Sequence, residues 1–308
     1  MMIPDDDGLD RLLKRLHLAY IRRHWREVVA RAEREEWSYR DFLAVVAGEE
    51  VAHRAQTGIA RRTRQAHFPF LKTIEEFDFT HQSTLRQLML GSYLAPEFVA
   101  SGQSLVLQGK PGRGKTHLAI AIAYKVILHG YDALFTTAAQ LIEDLSSAAA
   151  EGRLHDALKP YVGPAVLVID EVGYLTLRDN AANVLYHVVN RRYLKGKPII
   201  FTTNKPMTEW GRVLHDADLA TAILDRVLHH GRLILLDGPS VRTLDAITSP
   251  QADPATPRIS GKSPSEFAEP TAGPGRRCGS PIRAIRGPSR RPSRRWCARG
   301  SPTGRSRW

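Results

Sequence analysis

Residues 109–116 have the sequence GKPGRGKT, which fits the pattern G-x-x-x-x-G-K-[S/T] at every fixed position. An apolar run at 104–108 precedes this stretch, and a helix-like run at 117–128 follows it. Glycines let the backbone wrap closely around phosphate groups, which also face the amino terminus of the following helix. In this motif Lys115 reaches the β- and γ-phosphates and Thr116 offers a hydroxyl to Mg²⁺. The residues expected to bind ATP are Gly109, Lys110, Pro111, Gly112, Arg113, Gly114, Lys115 and Thr116.

Two adjacent carboxylates follow the apolar run at 165–169. A buried strand that ends in Asp170 and Glu171 brings both side chains to the carboxyl edge of a sheet, beside the phosphate loop. There Asp170 would hold Mg²⁺, directly or through water, and Glu171 would polarise the water that attacks the γ-phosphate. On its own this pattern usually marks only the end of a strand at the solvent. Behind a phosphate loop, the functional interpretation is the stronger one.

Two further residues are candidates for the same chemistry. The run Pro198–Thr203 is followed by Asn204, whose amide could orient the attacking water, although Asn shortly before a proline is also typical of a turn. The helix-like segment 219–230 contains Arg226. A lone helical arginine is most often a solvated charge, but a guanidinium is also what the γ-phosphate of a neighbouring subunit requires. His229 and His230 have no nearby ligand set and are interpreted as structural.

Short apolar runs alternate with helix-like segments from residue 104 onward, which predicts an α/β fold with a parallel sheet covered on both faces. The predicted strands are Ser104–Gln108, Ala133–Thr137, Ala165–Asp170, Pro198–Thr203 and Arg232–Leu236. Helices are expected to start near Lys115, Ala139, Arg178 and Leu219.

The first 66 residues have helical periodicity instead. Their first apolar residues fall on one stripe of an amphipathic helix, and these are Leu9, Leu12, Leu13, Leu16 and Tyr20. Ser38, followed by Asp41, is the expected N-cap of a later helix. The predicted organisation is a helical N-terminal domain at 1–66, a linker and entry to the ATPase core at 67–103, the core at 104–246, and a tail at 247–308.

The net charge of +12 lies almost wholly in that tail, which carries 13 Lys and Arg against 3 Asp and Glu, together with 10 of the 19 prolines. Such a composition predicts disorder, because it cannot bury enough apolar surface to offset its ordering entropy. The tail is either a basic arm for DNA phosphates or an incidental extension, for example one translated in a shifted frame, and the composition favours the second. Both cysteines, Cys278 and Cys297, lie in it, which argues against a disulfide framework.

Local patches offer a more specific guide to DNA contact than the total charge. The cations at 61–64, followed by Phe68 and Phe70, could grip phosphates or belong to a solvated linker with two buried rings. The pairs Arg191-Arg192 and Lys195-Lys197 are equally ambiguous. Because no apolar run is long enough to span a bilayer, we expect a cytoplasmic protein without a membrane partner.

Four runs carry a family resemblance: GKPGRGKTHLA, VLVIDEVGYL, NRRYLKGKPIIFTTNKPMTEWG and LDRVLHH. They closely resemble the IstB-type ATP-binding proteins of bacterial insertion sequences, which are similar to DnaC-type helicase loaders and to replication initiators. The resemblance covers about residues 5–245. It implies an AAA+ P-loop NTPase fold with a five-stranded parallel sheet in the order 5-1-4-3-2. It also implies a DNA-stimulated ATPase with ATP and Mg²⁺ as cofactors.

The same resemblance implies partners and residue roles. The partners would be double-stranded DNA, a cognate transposase and further copies of the chain, in an ATP-dependent homo-oligomer that regulates transposition and target selection. Asn204 matches the sensor-1 residue, Arg226 the arginine finger and Arg242 the sensor-2 arginine. The chain has PSVR at 239–242 where the family usually has ESYR, and nothing in the family accounts for the tail from residue 247.

The sequence therefore predicts the ATP-hydrolysing helper of a DNA transposase. One alternative is a DnaC-like loader of the replicative helicase, and the other is a degenerate transposon-derived protein that binds nucleotide without productive activity. A transposase gene immediately upstream would favour the helper, and replication genes would favour the loader.

Overall fold

The computed structural model describes residues 5–80, 87–173 and 180–239. All of these belong to one compact unit, Met1–Gln251, while a second unit, Ala252–Trp308, lies outside the described residues. Three features of the sequence therefore lie outside the described part: the sensor-2 candidate Arg242, the helix start near Arg178 and the tail from residue 247. The proposed domain boundaries at 66 and 103 stay predictions.

Helices and strands alternate as the sequence predicted. The N-terminal helices are α1 (Asp6–Arg15), α2 (Ala19–Arg34) and α3 (Tyr39–Gln65), followed by the short helices Gln87–Leu90, α4 (Gly91–Leu94) and α5 (Glu97–Ser101). The strands are β1 (Leu105–Gln108), β2 (Ala133–Thr137), β3 (Val166–Asp170), β4 (Ile199–Thr203) and β5 (Arg232–Leu235). Between them lie α6 (Lys115–Leu128), α7 (Ala138–Ala150), α8 (Leu154–Ala157), α9 (Lys159–Val162), α10 (Ala181–Leu194), the turn of helix Met207–Glu209, α11 (Trp210–Leu214) and α12 (Ala217–His229).

The five strands form one parallel sheet in the order β2-β3-β4-β1-β5. This is the predicted order 5-1-4-3-2 read from the opposite edge, so the predicted α/β AAA+ arrangement is confirmed. Each strand starts within one residue of its predicted position, because each apolar run is bounded by polar or turn residues. Two helices begin slightly earlier than predicted, α7 at Ala138 and α12 at Ala217, because Thr137 and Asp216 supply their N-caps.

Apolar side chains cover both faces of the sheet and divide into two clusters. Along β1, Val106 belongs to the cluster formed with α7, α10 and α12, whereas Leu105 and Leu107 belong to the cluster formed with α6. Strand periodicity explains this alternation, since successive side chains point to opposite faces. Strand β3 is buried along its whole length between β2 and β4, so its carboxyl end is rigidly placed within the sheet.

The N-terminal helices differ from the prediction in one respect. A single helix does not carry the stripe from Leu9 to Tyr20: α1 ends at Arg15, and His17 has a left-handed φ of 56°. Two residues of the predicted stripe, Leu12 and Leu16, are 47% and 64% exposed. The predicted cap of α3 is confirmed, because the Ser38 hydroxyl accepts the Asp41 N–H at 3.2 Å.

A tertiary contact accounts for the break at His17. Arg54 of α3 donates to the His17 carbonyl at 2.8 Å, and Glu50 accepts the N–H groups of Tyr20 and Ile21 at 3.0 and 3.2 Å. Leu18, the N-cap of α2, offers no side-chain cap, so Glu50 provides it from another helix. Sequence periodicity cannot reveal a cap that comes from 30 residues away.

Candidate nucleotide-binding site

The phosphate loop lies between the end of β1 and the start of α6, as the motif requires. Gly112 and Gly114 both have φ of 80°, a left-handed conformation that other residues adopt only at a cost. A Cβ on Gly114 would also approach a ring carbon of Phe77 to 2.7 Å. Lys115 Nζ donates to the Lys110 carbonyl at 3.0 Å, so the lysine lies over its own loop. The loop thus has the curvature of a phosphate-binding nest.

Thr116 and Asp170 meet where the loop faces the end of β3. The Thr116 hydroxyl lies 3.0 and 3.1 Å from the two carboxylate oxygens of Asp170. Asp170 is only 5% exposed. Hydroxyl and carboxylate oxygens are the donors that Mg²⁺ prefers, so this pair fits that ion.

A residue that the sequence analysis missed, Thr202, links the carboxylate of Asp170 to the backbone of Glu171. Its hydroxyl donates to Asp170 Oδ1 and accepts the Glu171 N–H at 3.0 Å. Glu171 itself has φ of 61°, a left-handed conformation that is strained for a residue with a side chain. Thr202 lies in β4, two residues before Asn204, which follows the end of that strand. The alternation of side chains along a strand could therefore have indicated that Thr202 and Asn204 share a face.

Asn204 reaches the same cavity from the end of β4. Its amide oxygen is buried and has no hydrogen-bond partner among the described residues. A Cβ at Gly173 would overlap that oxygen, so the glycine leaves the space that the amide occupies. A buried carbonyl without a partner is costly to the fold, which is typical of a group that meets a ligand or water.

A cavity of about 480 Å³ joins these groups. Its lining includes the loop from Pro111 to His117, Glu171, Asn204 and residues between Phe70 and Asp78. His117 holds the segment between Phe70 and Asp78 against the cavity. Its Nε2 lies 3.0 Å from the Thr73 carbonyl, and its ring packs edge-on against the Phe77 ring, with 5.3 Å between the ring centroids. The volume is within the usual range for small-molecule sites.

Arg226 is not part of this cavity. It lies in the last turn of α12, just before β5, whose first residue Arg232 pairs with Leu105 at the start of β1. The guanidinium is therefore at the amino edge of the sheet, whereas the phosphate loop is at the carboxyl edge. There it lines a separate small cavity with Ser104 and Ile199.

Two groups of candidate DNA-contact residues are placed by the structure. Arg62 forms an ion pair with Asp132 at 3.2 Å, and the Phe68 ring packs edge-on against Phe135 at 6.5 Å, while Phe70 is 48% exposed. The linker interpretation expected both rings to be buried, but Phe70 is exposed.

Arg192 is fully buried and cannot contact DNA. Its terminal nitrogens donate to four carbonyls, of Tyr161, Pro164, Ala165 and Pro198, at 2.8 to 3.1 Å. Burial lowers the pKa of Arg192 to about 9, while the four carbonyls favour the charged form. Arg192 thus anchors the segments that lead into β3 and β4.

Comparison with known proteins shows the family to which the chain belongs. The family model described as IstB-like ATP binding protein matches residues 11–249. The protein named as the ATP-binding protein of insertion sequence IS5376, from Geobacillus stearothermophilus, is 39% identical over 228 residues, which are 74% of this chain and 90% of the relative. The chain belongs to the IstB-like ATP-binding family. The member named for insertion sequence IS21, from Pseudomonas aeruginosa, is 38% identical over 234 residues, 76% of this chain and 88% of that protein.

Solved structures similar to this IstB-like chain share less with it. The DnaC helicase loader has 22% identity and a TM-score of 0.42, covering 57% of this chain and 99% of that one. AMPPCP-bound DnaA from Aquifex aeolicus has 20% identity and a TM-score of 0.46, covering 54% and 50%. Within the described residues, no helix combines the length and apolar character needed to cross a membrane.

Proposed function

We propose that this IstB-like protein hydrolyses ATP as the helper of a DNA transposase. It would assemble on double-stranded DNA as an ATP-dependent homo-oligomer in the cytoplasm, and so regulate transposition and target selection. The observation that carries the ATPase proposal is the single cavity in which the phosphate loop, Glu171 and the amide of Asn204 meet. The names of the relatives, which are ATP-binding proteins of insertion sequences, support the transposition context.

In this proposal the loop binds the triphosphate through backbone N–H groups and through Lys115, whose ammonium pairs with the β- and γ-phosphates. Thr116 and Asp170 would hold Mg²⁺, directly or through water. When bound, the ion neutralises charge on the phosphate oxygens. The side chains of Lys110 and Arg113 add positive charge beside the loop, and Arg113 donates to the Leu236 carbonyl at 2.9 Å. Arg242, outside the described residues, remains a sensor-2 candidate on family resemblance.

Hydrolysis would use the residues at the ends of β3 and β4. The oxygen of a water molecule bonds to the γ-phosphorus, the bond to the bridging oxygen breaks, and ADP and inorganic phosphate leave. Glu171 accepts the proton of the water, and the unpartnered carbonyl of Asn204 accepts a hydrogen bond that orients it. Arg226, at the opposite edge of the sheet, would complete the site of a neighbouring copy by stabilising charge on the γ-phosphate.

The first test separates binding from hydrolysis. Glu171→Gln should bind ATP like the parent but turn it over slowly, since the amide keeps the shape of the site and cannot take the proton. Lys115→Ala should lose binding. Matched controls are Glu97→Gln on the surface and Lys125→Ala on the same helix as Lys115. Turnover by Glu171→Gln equal to that of the parent would refute the role of Glu171.

The second test addresses the partners. We expect duplex DNA to raise the turnover of the parent, and ATP to raise the mass of the complex on DNA in sedimentation. The cognate transposase should join that complex only when ATP is present. If neither turnover nor assembly changed when DNA was added, the helper function would be contradicted. That result would favour the degenerate transposon-derived protein that only binds nucleotide.

A further inference from the structure

The side chain of Arg226 is held by two residues one helical turn apart on α10. Its Nε donates to the Asn190 amide oxygen at 2.9 Å, and its guanidinium carbon lies 4.9 Å from the ring centroid of Tyr186. Nη1 donates to the Ala222 carbonyl of its own helix at 2.9 Å. Among the described residues, no hydrogen bond or ion pair engages Nη2.

Neither of the two α10 residues carries a charge, which matters for what Arg226 can bind. Elsewhere in the chain, arginines such as Arg62 and Arg54 are paired with carboxylates, which cancel much of their charge. Asn190 and Tyr186 instead fix the orientation of the guanidinium, through an amide oxygen and a π-face, and leave its full charge for an anion. This arrangement is expected of an arginine whose guanidinium must keep a fixed orientation and an uncancelled charge in order to bind a phosphate.

We infer that Asn190 and Tyr186 are positioning residues that aim Arg226 at the γ-phosphate held by a neighbouring copy. This inference rests on the proposed trans-acting role of Arg226. A long arginine side chain loses much rotamer freedom when it is fixed, and a finger that is already aimed does not incur this loss when the subunits meet. Misplacement of a charged group by about 1 Å can reduce a rate by on the order of 10²-fold.

The competing explanation is that the contacts merely fasten α12 to α10. The packing of these helices does not need Arg226, because Leu185, Val188, Ile223 and Val227 are buried in the same apolar cluster. A fastening role would lower the melting temperature of the variants and would affect each subunit on its own. An aiming role impairs only the site of the neighbour.

The test compares Asn190→Ala and Tyr186→Leu with two controls. Asn183→Ala removes an exposed amide two turns away on α10, and Tyr186→Phe keeps the ring that faces the guanidinium. We expect the first two to bind ATP like the parent and to turn it over roughly 10- to 100-fold more slowly. Both controls should retain parental turnover. Equal or faster turnover by Asn190→Ala and Tyr186→Leu would overturn the inference.

Mixing subunits provides the readout that a structural role would not change. Glu171→Gln keeps ATP and an aimed finger, while Asn190→Ala keeps an intact hydrolytic site. Titrating Glu171→Gln into Asn190→Ala should therefore raise turnover per Asn190→Ala subunit towards the parental value. The inference would be overturned if this turnover did not rise while Arg226→Ala, mixed with Glu171→Gln in the same way, recovered its turnover. If Arg226→Ala alone matches the parent, the proposed trans-acting function itself fails.

Discussion

Thr202 contacts both acidic residues of the proposed site, through the carboxylate of Asp170 and the backbone N–H of Glu171. Thr202→Val keeps the shape but leaves the Glu171 N–H without its partner and removes one of the two hydrogen bonds to Asp170 Oδ1. We expect a loss of about 1–3 kcal/mol in the free energy of unfolding, the usual cost of an unsatisfied buried group. Turnover should fall by roughly 10- to 100-fold with ATP affinity little changed, because Glu171 loses its fixed position.

Thr202→Ser is the matched control, since it keeps the hydroxyl and should restore most of the turnover. Urea unfolding and steady-state kinetics of the two variants measure both effects. If Thr202→Val and Thr202→Ser had the same turnover, the hydroxyl would have no role in placing Glu171.

At the level of single residues, the sequence predicts those whose role follows from their neighbours along the chain. Thr116 and Asp170 are 54 residues apart, and the structure brings them into contact. Each could be identified from its local sequence, Thr116 as the last residue of the phosphate loop and Asp170 as the carboxylate at the end of an apolar strand. Thr202 and Arg192 have no such local signal. Their roles come from carbonyls and carboxylates on other elements, so spacing alone left Thr202 unnoticed and Arg192 ambiguous.

Among the elements, helix α2 depends on a cap that belongs to α3. Burial alone would raise the pKa of Glu50, but hydrogen bonds from Arg54, Ile21 and Tyr20 outweigh it and hold this pKa below its usual value. A lowered carboxylate pKa contributes stability above the ordinary carboxylate range, and that stability is lost as the pH falls through the folded-state pKa. The N-terminal helices should therefore loosen in acid before the sheet does.

The measurement is the free energy of unfolding of the parent and Glu50→Gln between about pH 6 and about pH 3. We expect Glu50→Gln to be less stable at the upper end and to depend less on pH, with the two curves converging in acid. Glu49→Gln, an exposed neighbour, should follow the parent. Parallel curves for the parent and Glu50→Gln would show that the ionisation of Glu50 does not contribute to stability.

Secondary structure was most predictable where burial decides it. The strands β1, β3 and β4 are apolar runs buried on both faces, so composition and length were enough to locate them. The break at His17 was not predictable, because periodicity continues through it and the contacts from Arg54 and Glu50 that stabilise it are tertiary. At His17 the contacts from α3 therefore outweigh the helical periodicity of the local sequence.

On the scale of the whole molecule, the two halves of the proposed catalytic site lie at opposite edges of the sheet. The phosphate loop, Asp170 and Glu171 are at the carboxyl edge, and Arg226 is at the amino edge. A site shared in this way would require head-to-tail contact between copies, which forms rings or helical filaments rather than a closed pair. Turnover per subunit should consequently rise with protein concentration.

The most direct test of the shared site mixes two inactive proteins, Arg226→Ala and Glu171→Gln. Arg226→Ala should bind ATP and lose hydrolysis by on the order of 10³-fold or more, as comparable arginines do. In the mixture, the intact site of Arg226→Ala can meet the intact finger of Glu171→Gln. We predict that ATP turnover in the mixture recovers to a substantial fraction of the parental rate. A mixture as inactive as its components, with parental turnover per subunit independent of concentration, would contradict the account.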